Sequence, residues 1–197
     1  MSKEPDAAPD LLLSAEQLEG QLKEERHKVR YQYALRAAAY TFLAGVAAAV
    51  LASTLWIPVL RICGSAMSPT LEEGQIVVSV RSGRLQQGDV VAFHYNNRIL
   101  VNRVIAGPGE WVDIDADGNV FVNGEALEEP YLTEKAPGQC DIELPCQVPD
   151  SQYFVMGDHR MVSADSRSAA VGCVPAGEVV GRLIFRIWPL NAVQVIH

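Results

Sequence analysis

The chain has 197 residues, enough for one domain with an accessory segment or for a small two-lobed domain. Its 16 Lys and Arg stand against 24 Asp and Glu, a net charge of −8. That balance argues against nucleic-acid binding as a class, which needs a basic face, and leaves room only for a local basic patch.

The first ten residues are polar and contain proline, and are predicted to be disordered. Residues 11–33 read as a helix, with Leu18, Leu22 and Val29 on one stripe. Its apolar repeat is too short for a coiled coil, so it reads as a lead-in to the apolar run after it. Residues 37–60 carry no charge and lie between Arg36 and Arg61. A helix of that length spans about 36 Å, enough to cross a hydrocarbon core of roughly 30 Å. This predicts a transmembrane anchor, with Trp56 at the interface and Pro58 at the outer end. The many alanines keep a buried soluble helix as the competing reading.

Lys23, Arg26, Lys28, Arg30 and Arg36 precede the span, opposed by Glu24 and Glu25. The positive side stays in the cytoplasm, which places residues 61–197 outside the cytoplasmic membrane. The apolar run is long, starts late and lacks an obvious small-residue cleavage site before Arg61, so it reads as a retained anchor. The expected organisation is a cytoplasmic tail over 1–36, a single-pass anchor over 37–60 and an extracytoplasmic domain over 61–197.

Beyond Arg61 the pattern turns strand-like. Runs rich in β-branched residues occupy 75–80, 89–95, 99–105, 111–116, 119–124, 152–157 and 179–188. Tyr95-Asn96-Asn97, Gly107-Pro108-Gly109 and Asp117-Gly118-Asn119 separate several of them as turns. The fold class is therefore mainly β and antiparallel, and a closed or partly closed barrel is one way to remove its edges. Asp113, Asp115, Asp117 and Gly118 imitate a calcium loop, but the terminal glutamate and flanking helices are missing. A hairpin turn at Asp117-Gly118 is the better reading. Cys140 and Cys146 bracket a short loop and are a disulfide candidate in an oxidising compartment, while Cys63 and Cys173 read as small buried residues or free thiols. No ligand set for a metal and no cofactor motif is found.

Five blocks occur in a familiar order: GSAMSPTL at 64–71, GDVVAFH at 88–94, VNRVIAGPGE at 101–110, VFVNGEALEEPY at 120–131 and MGDHRMVSADSR at 156–167. Their order and spacing resemble the bacterial type I signal peptidases, also called leader peptidases, over about residues 37–190. The resemblance implies a membrane-anchored, two-lobed β-rich domain with an apolar membrane-facing surface. It also implies removal of signal peptides from secreted preproteins by a serine-lysine dyad. In that family the serine sits in a GxSMxPT block and the lysine in a VKRxxGxPGD block.

Mapped by position, this chain carries Ala66 where the nucleophile belongs and Asn102 where the general base belongs. Gly64, Met67, Pro69 and Thr70 remain in the first block, and Arg103, Gly107, Pro108 and Gly109 in the second. Glu110 replaces the expected aspartate. Asp158, Ser163, Asp165 and Arg167 match the last block, where the resemblance gives them supporting roles; Ser163 would orient the lysine. His159 stands where the family usually has asparagine.

A methyl group has no lone pair for covalent attack, and an amide is not basic near neutral pH. The expectation is a non-catalytic family member that binds a signal-peptide-like or pilin-like segment, or holds a partner at the membrane. A natural pseudoenzyme and an engineered inactive version fit the two replacements equally. The alternative is an active membrane serine endopeptidase that uses a displaced serine such as Ser65 with His159 as base. If residues 62–68 are extended, Ser65 faces away from the vacant position and Ser68 lies about 6.6 Å along the strand, too far to replace it. Of the four lysines only Lys135 lies outside, in a polar loop.

Overall fold

The computed structural model describes residues 31–51, 58–81 and 83–196. The lead-in over 11–30, the charges that set orientation before Tyr31, and Trp56 lie outside the described residues. Two compact units divide the chain, Met1–Ser53 and Thr54–His197.

In the first unit helix α1 runs Tyr31–Leu51 and is long and apolar enough to cross a membrane. Alanine and leucine favour the helix, and its apolar side chains, Phe42 and Leu43 among them, are exposed. An exposed helix of this composition needs an apolar surrounding. The sequence reading carried the anchor to residue 60, whereas Val59 and Leu60 are in a strand. Pro58 explains the change: it has no N–H to continue a helix, and its carbonyl accepts from Ser79 N at 2.9 Å.

The second unit contains strands β1 (Val59–Arg61), β2 (Ile76–Val80), β3 (Val90–Tyr95), β4 (Arg98–Ala106), β5 (Trp111–Ile114), β6 (Val120–Val122), β7 (Glu125–Ala126), β8 (Cys146–Gln147), β9 (Gln152–Met156), β10 (Val174–Pro175), β11 (Val179–Trp188) and β12 (Gln194–Val195). The larger sheet runs β1-β2-β11-β3-β4-β9-β10, with β12 added beside β11. The smaller runs β7-β6-β5-β8. All pairings are antiparallel. The fold is thus mainly β, with a second, smaller sheet. The larger path ends at β1 and β10, so the described strands do not close into a barrel.

Local chemistry sets the hairpins. Asn96 and Asn97 both take positive φ, 44° and 61°, as a two-residue turn between β3 and β4 demands. Asp115 accepts from the backbone of Asp117 and Asn119, and Gly118 turns at φ 83°, so the acidic run is a hairpin turn between β5 and β6.

Three apolar clusters form the core. One joins Ile62, Met67, Leu71, Val77, Val90, Ala92 and Leu183. Another, around Ile105, Val112, Phe154 and Met156, links the two sheets. A third holds Leu85, Val91, Phe93 and Val155. Strand β4 crosses this interior, and its residues from Asn102 to Ala106 are all buried.

Candidate functional site

Ala66 is fixed by its neighbours. Met67 and Leu71, four residues apart, are 2% and 0% exposed in the same cluster, and Leu71 N donates to Met67 O at 2.8 Å. Ser68 N donates to Ser65 O at 3.1 Å, and Gly64 enters the turn at φ 87°. Residues 64–71 are therefore wound, not extended. The extended-strand spacing assigned to Ser65 and Ser68 is corrected accordingly. Ser65 is exposed, and among the described residues its hydroxyl makes no hydrogen bond to His159 or to any other base. What His159 does contribute is a backbone bond: its N–H donates to Ala66 O at 2.9 Å.

Asn102 comes from β4, opposite Val91 of β3, and is 1% exposed. Its Nδ2 donates to the carbonyl of Ala164 at 3.0 Å. The carboxamide is thus spent as a donor to the loop that follows β9. Ser163, one residue before that carbonyl, donates its hydroxyl to Asp165 Oδ2 and accepts from Arg167 Nη2 at 2.9 Å. Gly157 is the meeting point. A Cβ there would lie 2.7 Å from Ala66 O and against Ser163 Cβ, so only glycine permits this approach.

Two buried ion pairs hold these loops. Arg103 points away from Asn102, as neighbours on a strand do. Its Nε and Nη2 grip Asp158 at 2.9 and 2.7 Å, and its Nη1 donates to Gly88 O at 2.8 Å. Thr70 also donates to Asp158, which ties the first block to the last. Arg167 grips Asp165 at 2.9 and 2.8 Å and donates to Pro137 O and Arg160 O. Both pairs are nearly inaccessible to solvent. Removing one partner of such a pair costs about 3–5 kcal/mol, because the other charge stays buried.

A family model described as signal peptidase, peptidase S26, matches residues 35–188. The chain belongs to the signal peptidase family. It is 37% identical over 148 residues to signal peptidase IB of Staphylococcus aureus (strain COL), covering 65% of this chain and 76% of that protein. It is 33% identical over 144 residues to signal peptidase I T of Bacillus subtilis (strain 168), covering 66% and 74%. A crystal structure of a signal peptidase I from Enterococcus faecalis V583 aligns with TM-score 0.44 and 32% identity, covering 51% of this chain and 97% of that one.

Within this signal peptidase fold, the residues singled out in sequence fall into three places. Gly64, Ala66, Met67 and Pro69 lie on the wound segment after β1. Asn102 and Arg103 lie on β4, and Asp158, His159, Ser163, Asp165 and Arg167 on the loop after β9. Backbone and side-chain bonds join all three. Lys135 lies elsewhere, with its Nζ donating to Asn119 Oδ1 at 3.0 Å. All four cysteines are free thiols, Cys140 and Cys146 included.

Two site-supporting residues escaped the sequence reading. The Tyr131 ring covers Arg103, with the guanidinium carbon 3.9 Å from its centroid. Its hydroxyl donates to Glu129 Oε1 at 2.9 Å, and Glu129 pairs with buried Arg160. Burial, then the Glu129 charge, pushes the Tyr131 phenol well above its ordinary range. The only signal in sequence was the EEPY segment inside a matched block, which says nothing of a distant arginine.

Proposed function

We propose that this chain is a non-catalytic member of the signal peptidase family that binds a signal-peptide-like or pilin-like segment at the membrane. The observation that carries the reading is the joint replacement of both chemical positions, Ala66 and Asn102, within otherwise retained blocks. Without an attacking lone pair there is no acyl-enzyme, and loss of a serine nucleophile alone costs on the order of a million-fold in turnover. Without a base, no hydroxyl in the cleft is activated.

Peptide binding needs neither group. Residues 98–101 of β4 pair with β3 on one side and are not buried, while β9 takes up the other side only from Arg103 onward. That leaves a length of β4 backbone open to an extended peptide, which main-chain hydrogen bonds would hold. The expected organisation has α1 as the anchor, residues before it in the cytoplasm and the β-domain outside.

The test is restoration. Ala66→Ser together with Asn102→Lys is expected to cleave a secreted preprotein before its mature segment, while the unaltered chain binds the same preprotein and leaves it intact. Cleavage by the unaltered chain, abolished by Ser65→Ala, would sink the reading in favour of a displaced nucleophile.

A further inference from the structure

Arg186 is a half-buried cation, unlike the exposed Arg61, Arg81 and Arg98. Arg103, Arg160, Arg167 and Arg182 each pair with a carboxylate. Among the described residues Arg186 does not. Its four hydrogen bonds go to neutral acceptors: Ala192 O at 2.8 Å, Gln194 Oε1 at 2.9 Å, Gln75 Oε1 at 3.3 Å and Thr70 O at 3.4 Å. A guanidinium has five N–H donors, so one has no acceptor there. Its positive charge is oriented and half-buried without being neutralised.

The surroundings are those of an anion site with a greasy rim. Arg186 lines a recess of about 370 Å³ with Thr70, Tyr131, Gln194 and Val195, and among the described residues no carboxylate side chain is part of that wall. Strand β12 folds back on β11 so that Gln194 faces Arg186 and Val195 faces Phe185. Neighbours on a strand alternate faces, so the Arg186–Gln194 pair and the Phe185–Val195 pair lie on opposite faces of this ladder, and the apolar rim of the recess comes from the chain that follows. Along the same stretch of chain Trp188, Leu190 and Val193 are 50%, 75% and 57% exposed. A tryptophan among aliphatic side chains beside a fixed cation suits the boundary between lipid headgroups and acyl chains.

We propose that Arg186 and this recess hold the phosphodiester headgroup of an anionic membrane lipid. The proposal rests on the reading of the chain as membrane-anchored through α1, and goes beyond it by assigning a charge preference to one residue. Residues 61–197 carry 10 Lys and Arg against 17 Asp and Glu, a balance that repels anionic lipid, so contact with such lipid calls for a local cation.

The full chain, reconstituted in nanodiscs of equal phosphatidylglycerol and phosphatidylcholine and released into mild detergent, is assayed for retained lipid by native mass spectrometry. The expected result is roughly a fivefold preference for phosphatidylglycerol, the effect of one cation near a charged membrane surface. Arg186→Gln is expected to lower the preference by about that factor relative to the unaltered chain and Arg186→Lys to keep most of it, the basic residues before the span being common to all the variants. Arg98→Gln, which removes the same charge from the exposed β3–β4 turn, is expected to leave it unchanged. Equal retention of both lipids by the unaltered chain overturns the proposal without touching the anchoring. So does a preference in folded Arg186→Gln that equals that of the unaltered chain. Displacement of the lipid by stoichiometric inorganic phosphate would reassign the recess to a free anion and overturn the lipid assignment. A chain that stays monodisperse with no detergent at all would instead remove the anchoring on which the proposal rests.

Discussion

Asn102 Nδ2 donates to the carbonyl of Ala164 at 3.0 Å, so the side chain at the position to which the resemblance assigns the base is tied to the loop that carries Ser163. The bond closes the site from within: the buried amide supports the loop and takes up no proton. Asn102→Ala is expected to lose about 1–3 kcal/mol, from the lost bond and the stranded carbonyl. Urea denaturation followed by tryptophan fluorescence measures it. Asn102→Lys alone buries an ammonium, lowers that lysine's pKa, and gives no cleavage because position 66 still has no nucleophile. Unchanged stability in Asn102→Ala would mean that water serves Ala164 equally well.

Tyr131 offers a test by pH. Its folded pKa is raised, first by burial and then by Glu129. In the unfolded chain the phenol ionises near about 10. Below that pH both states keep the proton, and the tyrosine adds no pH dependence. Above it the unfolded chain releases a proton that the folded chain retains, so stability falls as pH rises toward the folded value. Tyr131→Phe should flatten that alkaline loss. Denaturation midpoints compared across the alkaline range decide the matter, and equal slopes in the two proteins count against it.

Strands were legible where alternation was strong and long. The run at 179–188 became β11 with the same bounds, and 75–80, 89–95 and 99–105 became β2, β3 and β4 within one residue at either end. The two-residue strands β7, β8, β10 and β12 left no trace, because pairing with distant partners, not local propensity, defines them. The wound shape of 64–71 was not legible in sequence, because it comes from burying Met67 and Leu71 on one side. The motif blocks located Ala66, Asn102 and Asp158. They did not reveal that Tyr131 covers Arg103, a contact across 28 residues of chain that no period encodes.

The cysteines differ in reactivity. Burial, then the nearby Cys146, pushes the Cys173 thiol up to about 11. Burial, then Cys140 and Asp113, raises Cys146. Cys63 and Cys140 are exposed. Iodoacetamide at neutral pH is therefore expected to label Cys63 and Cys140 first and Cys173 last, as read by peptide mass mapping. Under oxidising conditions we propose that Cys140 and Cys146 join, which would stabilise the domain by about 2 kcal/mol for so short a loop. An oxidised protein in which Cys146 is bonded elsewhere, or remains alkylatable, counts against that pairing.

Gly157 is a position beside Ala66 where a single added methyl group should do harm. Its N–H donates to Asp165 Oδ2 at 3.1 Å and its carbonyl accepts from Arg160 Nε at 3.0 Å, so the backbone is held from both sides. A methyl group there would meet Ala66 O at 2.7 Å and Ser163 Oγ at 2.8 Å, closer than real carbon contacts come. The clash cannot be relieved by a flexible side-chain tip, because Ala66 O is backbone and Ser163 is fixed by Asp165 and Arg167. Gly157→Ala is expected to cost about 1–3 kcal/mol, as overpacking in a well-filled interior does. Gly177→Ala, with open space around it and no positive φ, is the control and should be near neutral. Introduced into the Ala66→Ser, Asn102→Lys background, Gly157→Ala should lower kcat as well, since relief of the clash displaces the backbone of position 66. A Gly157→Ala protein as stable as the Gly177→Ala control would show that the loop after β9 stands further from Ala66 than the His159–Ala66 bond requires.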